Sequence, residues 1–365
     1  MDLKKIADET KAQLPGILDT IPNFNATESS LHHFEDIAAL DQTNCPGFKT
    51  GTRIRVLDMD TLDVALSLNP DYKVHTRLGL ATSTVNQDTM GSKDENVTIS
   101  KSDIDLSLSD PGLKEDMNAK TSHDGDTIME NLVTTEGVIQ SDKSGASELD
   151  TDTTPTPPFT VPTHPVAVLN LASERSPGGG WQNGALAQEE CLCYRSSLYL
   201  SLHKAYYPIP SLSAIYTPNV VLIRDAMARG HTLLTPTEHP TNLPALSVIS
   251  VAALRHPALT DDGEAFKNEG ARAETKRKIR LTLRVAAKQG HTKLVLGALG
   301  CGVFANPPKE VAECFLEVLW EKEFQGGWWE DVAFAVLDNV SRPDGGIYGE
   351  GNFGQFHRVL DGQAV

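Results

Sequence analysis

The strongest constraint on the fold is a rhythm in the second half of the chain, where apolar runs of strand length alternate with stretches of helical spacing. The runs are Val166 to Leu171, Val220 to Ile223, Leu246 to Val251, Lys293 to Leu296 and Val332 to Leu337. Between them, Ile279, Leu283 and Ala286, and then Val311, Phe315, Val318 and Leu319, fall on one face of a helix. Strands alternating with helices predict an α/β domain with a largely internal sheet. Upstream, Met1 to Leu14 has helix-forming content and Arg53 to Leu57 reads as a short strand. Asp60 to Asp63 then open a short helix through Val64, Ala65 and Leu66, with an acid in the first turn where the helix dipole favours one. No internal repeat is visible.

The 365 residues carry a net charge of −17, and that charge is unevenly spread. From Asn86 to Pro155 there are 11 Asp and 5 Glu against 5 Lys and no Arg, a net of −11, and no Phe, Tyr or Trp. Such a segment buries too little apolar surface to offset its ordering entropy, so residues 81–158 are expected to be a disordered acidic insertion. The remaining residues carry 33 acids against 27 bases, a net of −6. This balance argues against general nucleic-acid binding, which needs clustered cations. No apolar run has the length to span a bilayer, and the start of the chain lacks the apolar stretch of a signal peptide. Five cysteines at irregular spacing (Cys45, Cys191, Cys193, Cys301 and Cys314) fit a reduced compartment better than a disulfide framework. An intracellular protein, nuclear or cytoplasmic, is expected.

Two glycine-rich turns carry the chemistry. In the first, a strand ends at Asn170, a loop contains Gly178, Gly179 and Gly180, and a helix starts near Ala185. Three consecutive glycines let the backbone approach a ligand closely, although many such loops are plain turns. Gln188, Glu189 and Glu190 fall on the first turns of that helix. Adjacent helical positions point about 100° apart, so one carboxylate can enter a cleft while its neighbour touches another part of the same ligand. Glycoside cleavage needs a carboxyl group to protonate a leaving oxygen and an anionic environment for an oxocarbenium-like centre. In the second turn, a strand enters Gly297 to Gly302, and a helix is expected after Asn306 as N-cap, with Pro307 at its first position. A strand, a glycine turn and a helix N-terminus together suit a diphosphate. The spacing matches neither a dinucleotide-binding fingerprint nor a P-loop. A tight structural turn is the competing account.

The passage from Asn170 to Glu190, NLASERSPGGGWQNGALAQEE, resembles the signature of microbial-type poly(ADP-ribose) glycohydrolases, in which GGG precedes QEE by a short spacer. Here the spacer is Trp181 to Ala187. The continuation CLCYRSSLY, the strand IYTPNVVLIRD from Ile215 to Asp225, and LGALGCGVFANPPKEVA are also similar to that family. The resemblance implies a macrodomain-like mixed sheet sandwiched between helices, with a catalytic domain over 46–80 and 159–365; residues 1–45 depart from the family and are expected to form an N-terminal helical extension. It implies Glu190 as the acid that protonates the oxygen leaving the distal ribose and then activates water. Glu189 would hold a ribose hydroxyl, Gln188 would orient loop and helix, and Asn170 would contact the distal ribose. Gly178, Gly179 and Gly180 would lie against diphosphate and ribose. Gly300, Cys301, Gly302, Val303 and Phe304 would wrap the diphosphate, with Phe304 packing on the distal ribose. The implied substrate is poly(ADP-ribose) on modified proteins, cut mainly from chain ends by a monomer with no metal or cofactor, in the reversal of ADP-ribosylation and the DNA damage response.

Other readings remain open at this point. The same residues suit a hydrolase of single ADP-ribose units or a module that binds ADP-ribose without cutting it. In the tail from Gly345 to Gly354, Phe353 or the nearby Phe356 would stack on adenine or pack on the core. Cys191 and Cys193 read as helix packing, and Cys301 as a reactive thiol or a turn filler. Lys276, Arg277, Lys278 and Arg280 form either a solvated helix face or a surface for a polyanion.

Overall fold

The computed structural model describes residues 1–48, 51–78, 165–341 and 344–365. The acidic stretch from Asn86 to Pro155 lies outside the described residues, as does the expectation placed on it. The described residues belong to one compact unit, Met1–Ser83 with Phe159–Val365.

In chain order the regular elements are α1 (Leu3–Leu18), β1 (Ser30–His33), β2 (Arg55–Leu57), α2 (Thr61–Leu68), α3 (Val74–Arg77) and β3 (Ala167–Leu171). There follow α4 (Gln188–Arg195), β4 (Ser213–Val221), β5 (Ala245–Val251), α5 (Glu269–Lys288), β6 (Lys293–Leu296), α6 (Pro308–Leu319), β7 (Asp331–Ala335) and α7 (Asn352–Leu360). The strands form a mixed seven-stranded sheet in the order β1-β4-β5-β3-β6-β7-β2. The β1–β4 and β4–β5 pairs are antiparallel, and the remaining pairs are parallel.

Strand alternation builds the layers, because successive side chains point to opposite faces. On one face Leu169, Ile249, Leu294, Leu296, Val332 and Phe334 pack with α5, α6 and α7. On the other, Val168, Val248, Val295 and Ala333 pack with α1, α2 and α4. The central strands are buried on both faces, which is why they read as continuous apolar runs. The result is the macrodomain-like arrangement the resemblance implied.

One strand arises without a sequence signal, one expectation changes, and two open alternatives are decided. Residues 30–33, SLHH, give no strand signal, yet they form β1 through edge pairing with β4. Asn306 is not the N-cap of α6, which begins at Pro308 with Pro307 as cap residue. A cap at Asn306 would put two prolines, which lack N–H groups, at the first helical positions. Its buried amide instead donates to Leu254 O at 2.7 Å, Gly300 O at 3.1 Å and Phe304 O at 3.3 Å, tying the second glycine loop closed. The cations of α5 are largely not a free surface. Arg272 pairs with Glu310 at 3.1 Å and Glu317 at 2.6 Å, Arg280 with Glu321 at 2.6 Å and Arg284 with Glu323 at 2.6 Å, all acids in or just after α6. Phe353 and Phe356 are buried in α7, with the Phe356 ring 6.0 Å from Phe334, so they pack on the core.

Candidate active site

The site lies where parallel strands β3 and β6 end side by side, since their following loops leave the sheet on the same edge. Crevices at the carboxyl ends of parallel strands are where α/β sheets bind ligands. Asn170 occupies the last turn of β3. Its Nδ2 donates to Glu189 Oε1 at 3.2 Å and Ser250 Oγ at 3.0 Å, and its buried Oδ1 has no hydrogen-bond partner among the described residues. Gln188 clamps α4 to that strand end: its Oε1 accepts from Leu171 N at 2.9 Å and its Nε2 donates to Leu169 O at 2.8 Å.

The first glycine loop wraps the two carboxylates. Ser173 N donates to Glu189 Oε2 at 2.7 Å, and Gly180 N donates to Glu190 Oε1 at 2.8 Å. Gly178 and Gly179 take positive φ, +70° and +59°. A Cβ on Gly179 would lie 2.3 Å from Glu190 Oε1 and 3.2 Å from Glu189 Oε2. A Cβ on Gly178 would strike the Trp181 ring at 2.7 Å and Cys193 Sγ at 2.9 Å. Glycine is therefore required at both positions for space as well as for backbone conformation. Of the loop amides, that of Gly180 is engaged with Glu190 and that of Gly179 donates to Ser176 O at 3.0 Å.

The two glutamates differ in environment. Glu189 is 4% exposed, and burial raises its pKa to about 8. The hydrogen bonds from Ser173 and Asn170 oppose that rise, and the neighbouring charge of Glu190 adds to it. Glu190 has the same depth of cover, yet its Oε2 accepts no hydrogen bond from any described residue. One carboxyl group is thus tied to the protein through both oxygens with its pKa raised by burial, while the other keeps an oxygen for a ligand.

The second loop is built differently. Gly300 takes φ +77° and sits so close to Asn306 Nδ2 and Ala253 Cβ that a side chain would collide with both. The amides of Gly300, Gly302, Val303 and Phe304 donate to no described residue, and Val303 is 73% exposed. Successive unoccupied amides at a glycine turn suit an anion. Cys301 points the other way: it is buried, its Sγ lies 3.6 Å from Leu299 O, and burial pushes its thiol up, which excludes the reactive-thiol reading. Arg255 joins the loops, lying 5.1 Å over the Phe304 ring and 3.7 Å from Glu174 beyond the first strand.

Other contributors carried no individual signal in the sequence. Tyr194 donates from its hydroxyl to Trp181 O and Ala185 O, both at 2.8 Å, holding the spacer between GGG and QEE against α4. Arg195 is buried and pairs with Asp60 and with Asp63, the latter at 2.9 Å. Both residues fall in the stretch CLCYRSSLY, but its resemblance alone assigned them no role. Cys191 and Cys193 are helix packing, with Cys193 fully buried. Among the described residues no group of three or more His, Cys, Asp or Glu could hold a metal ion.

A mixed α/β sandwich thus presents a carboxylate pair and a loop of free amides at adjacent strand ends. Residues 115–225 match the family model described as microbial-type PARG, catalytic domain, a segment that begins in the acidic stretch and runs through both glutamates. The matched segment is about a third of the chain's length and includes Asn170, the first glycine loop and α4. Among solved structures it is similar to poly(ADP-ribose) glycohydrolase from Thermomonospora curvata, with 23% identity, 98% of each chain covered and a TM-score of 0.58. The same protein bound to the inhibitor ADP-HPD matches with a TM-score of 0.57. A mutant of the Deinococcus radiodurans enzyme in complex with ADP-ribose matches at 23% identity, over 95% of this chain and 97% of that one, with a TM-score of 0.52. Among curated proteins none matches the chain.

Proposed function

We propose that the protein hydrolyses the ribose–ribose bond of poly(ADP-ribose), mainly from chain ends, with Glu190 as general acid and base. The observation that carries this reading is the pairing of a tied Glu189 with a Glu190 whose Oε2 is open beside the glycine loop. Two glycine loops at adjacent strand ends suit one ADP-ribose unit. The free amides of Gly300, Gly302, Val303 and Phe304 would receive its diphosphate, with Phe304 against the distal ribose. Gly178, Gly179 and Gly180 would present bare backbone to the same unit. The Oδ1 of Asn170 suits a ribose hydroxyl, and Glu189 would hold another.

In the reaction, Glu190 gives its proton to the ribose oxygen of the preceding unit as the bond from that oxygen to the anomeric carbon breaks. The distal ribose develops oxocarbenium character. Glu190, now a carboxylate, takes a proton from the attacking water, whose oxygen bonds the anomeric carbon. One water is consumed, and Glu190 ends protonated as it began. With the pKa of Glu189 raised by burial, the change of charge falls to Glu190.

The test is Glu190→Gln on labelled polymer. General acid–base catalysis contributes about 10²–10⁴-fold, so turnover is expected to fall by that order while calorimetric ADP-ribose affinity stays near wild type. Polymer left uncut by the wild-type protein despite tight ADP-ribose binding would identify a reader instead. Free ADP-ribose as the released product from the first time points, with the remaining chains shortening gradually and no burst of short oligomers, is the signature expected of cutting at ends.

A further inference from the structure

A cavity of about 540 Å³ opens beside the first glycine loop, and residues 300–304 take no part in its walls. Its lining includes Gly179, Arg175, Lys204 and Tyr207. We infer that this cavity is a subsite for the unit on the leaving side of the scissile bond, a pyrophosphate-linked adenosine, an inference that rests on the proposed glycohydrolase activity.

The argument begins at Gly179. This residue forms part of the cavity wall and also lies against Glu190, where a Cβ would come 2.3 Å from Oε1. Lacking a side chain, it separates the carboxylate from the cavity by backbone alone. The oxygen that Glu190 protonates belongs to the leaving unit, so that unit must start within hydrogen-bond reach of Glu190. The terminal unit takes up the direction of the second loop. The cavity offers the leaving unit another direction, and its size falls in the range of small-molecule sites.

Its chemistry suits what continues from that oxygen. The leaving unit is an adenosine carrying a pyrophosphate, and the cavity presents two cations in a chain that is acidic overall. Lys204 is exposed and has no ion-pair partner among the described residues, and Arg175 pairs only with its neighbour Glu174, at 3.1 Å on the surface. An exposed pair of that kind is weak, which leaves Arg175 able to turn to a phosphate in a charge-assisted, bidentate contact. Tyr207 adds a hydroxyl that is hidden from solvent and has no hydrogen-bond partner among the described residues. Burial pushes that hydroxyl up, so it remains a donor for a ribose or adenine acceptor.

The experiment compares two substrates cut at the same bond: poly(ADP-ribose), and an ADP-ribosyl compound whose leaving group is para-nitrophenol and carries no phosphate. Wild type, Arg175→Ala/Lys204→Ala, Lys204→Glu and Tyr207→Phe are assayed on both. The ratio of kcat/KM on polymer to kcat/KM on the nitrophenyl compound is expected to fall about tenfold in the double variant, as loss of charge-assisted phosphate contacts would produce. The loss should appear in KM for polymer, and the salt dependence of that KM should flatten. Lys204→Glu should lower the ratio further, and its surface position keeps folding out of the comparison, which matching thermal melts check. A ratio equal to wild type in all variants overturns the subsite while the glycohydrolase reading stands. A wild-type protein that cuts no polymer, or a Glu190→Gln variant as active as wild type, overturns that reading and the subsite with it.

Discussion

At the scale of single residues, Glu189 and Gly179 make opposite kinds of prediction. Glu189 has a folded-state pKa of about 8 against an ordinary value of 4.5, so the folded state holds a proton that the unfolded chain releases. The sign follows: stability is full below about pH 4.5, declines as the unfolded chain ionises, and has lost this contribution once pH passes about 8. The span corresponds to roughly 5 kcal/mol. Glu189→Gln should flatten the fall in chemical-denaturation stability between those two pH values, and an unchanged slope would contradict the assignment. Gly179→Ala adds a methyl group in van der Waals conflict with the tip of Glu190 and places Ala at positive φ. It should cost about 1 kcal/mol of stability. Turnover should drop by about tenfold or more, since the side chain that yields is the one doing chemistry. Denaturation midpoints and polymer assays on the same preparation separate the two effects.

At the scale of elements, α4 is fastened at both ends, and the sequence disclosed the two ends unequally. The QEE end was legible, because three polar residues following a glycine loop are unusual at the mouth of a buried strand. The far end was not. Arg195 reads as an ordinary helix-terminal cation, yet it is buried against Asp60 and Asp63, brought there from the other side of a long stretch of chain. Asp60 also accepts from Leu62 N at 2.9 Å as the cap of α2, so one carboxylate serves two elements. Arg195→Ala removes the buried cation shared by these carboxylates, leaving Asp63 its pair with Arg229 at 2.9 Å, and a loss of about 3 kcal/mol in denaturation is expected. Tyr194→Phe removes only the hydroxyl that grips Trp181 O and Ala185 O. It should cost about 1 kcal/mol and raise KM for polymer more than it lowers kcat, as the glycine loop slackens. The second loop repeats the lesson. Its glycines were visible in the sequence, but Asn306 closes the loop from the position where a helix cap was expected, its amide turned to three loop carbonyls while Lys309 N donates to Gln355 Oε1 at 3.1 Å.

At the scale of the whole molecule, the N-terminal residues do more than the helical extension their sequence suggests. Thr10, buried in α1, donates to Tyr194 O at 3.1 Å and accepts from the buried Arg224 at 3.0 Å, while Leu14, Ile17 and Leu18 close a separate apolar cluster beneath Val221 and Ile223. Removing residues 1–20 uncovers that cluster and one wall behind α4. Thermal melting of the truncated chain should show a broad or absent transition, and an intact melt with full polymer turnover would argue that α1 is dispensable. No helix among the described residues is long and apolar enough to cross a membrane.

By itself, the sequence determined the α/β class, the layering of the central strands and the two glycine turns, because each depends on local periodicity or on residues within one loop. The carboxylate pair belongs there too, its spacing from GGG being a property of a single turn and helix. Only the tertiary structure decided which glutamate is tied and which is open, where Asn306 and Arg195 act, and that SLHH is a strand. Each of these depends on partners distant in sequence, on desolvation that exists only after burial, or on an edge that offers hydrogen bonds to a segment with no preference of its own.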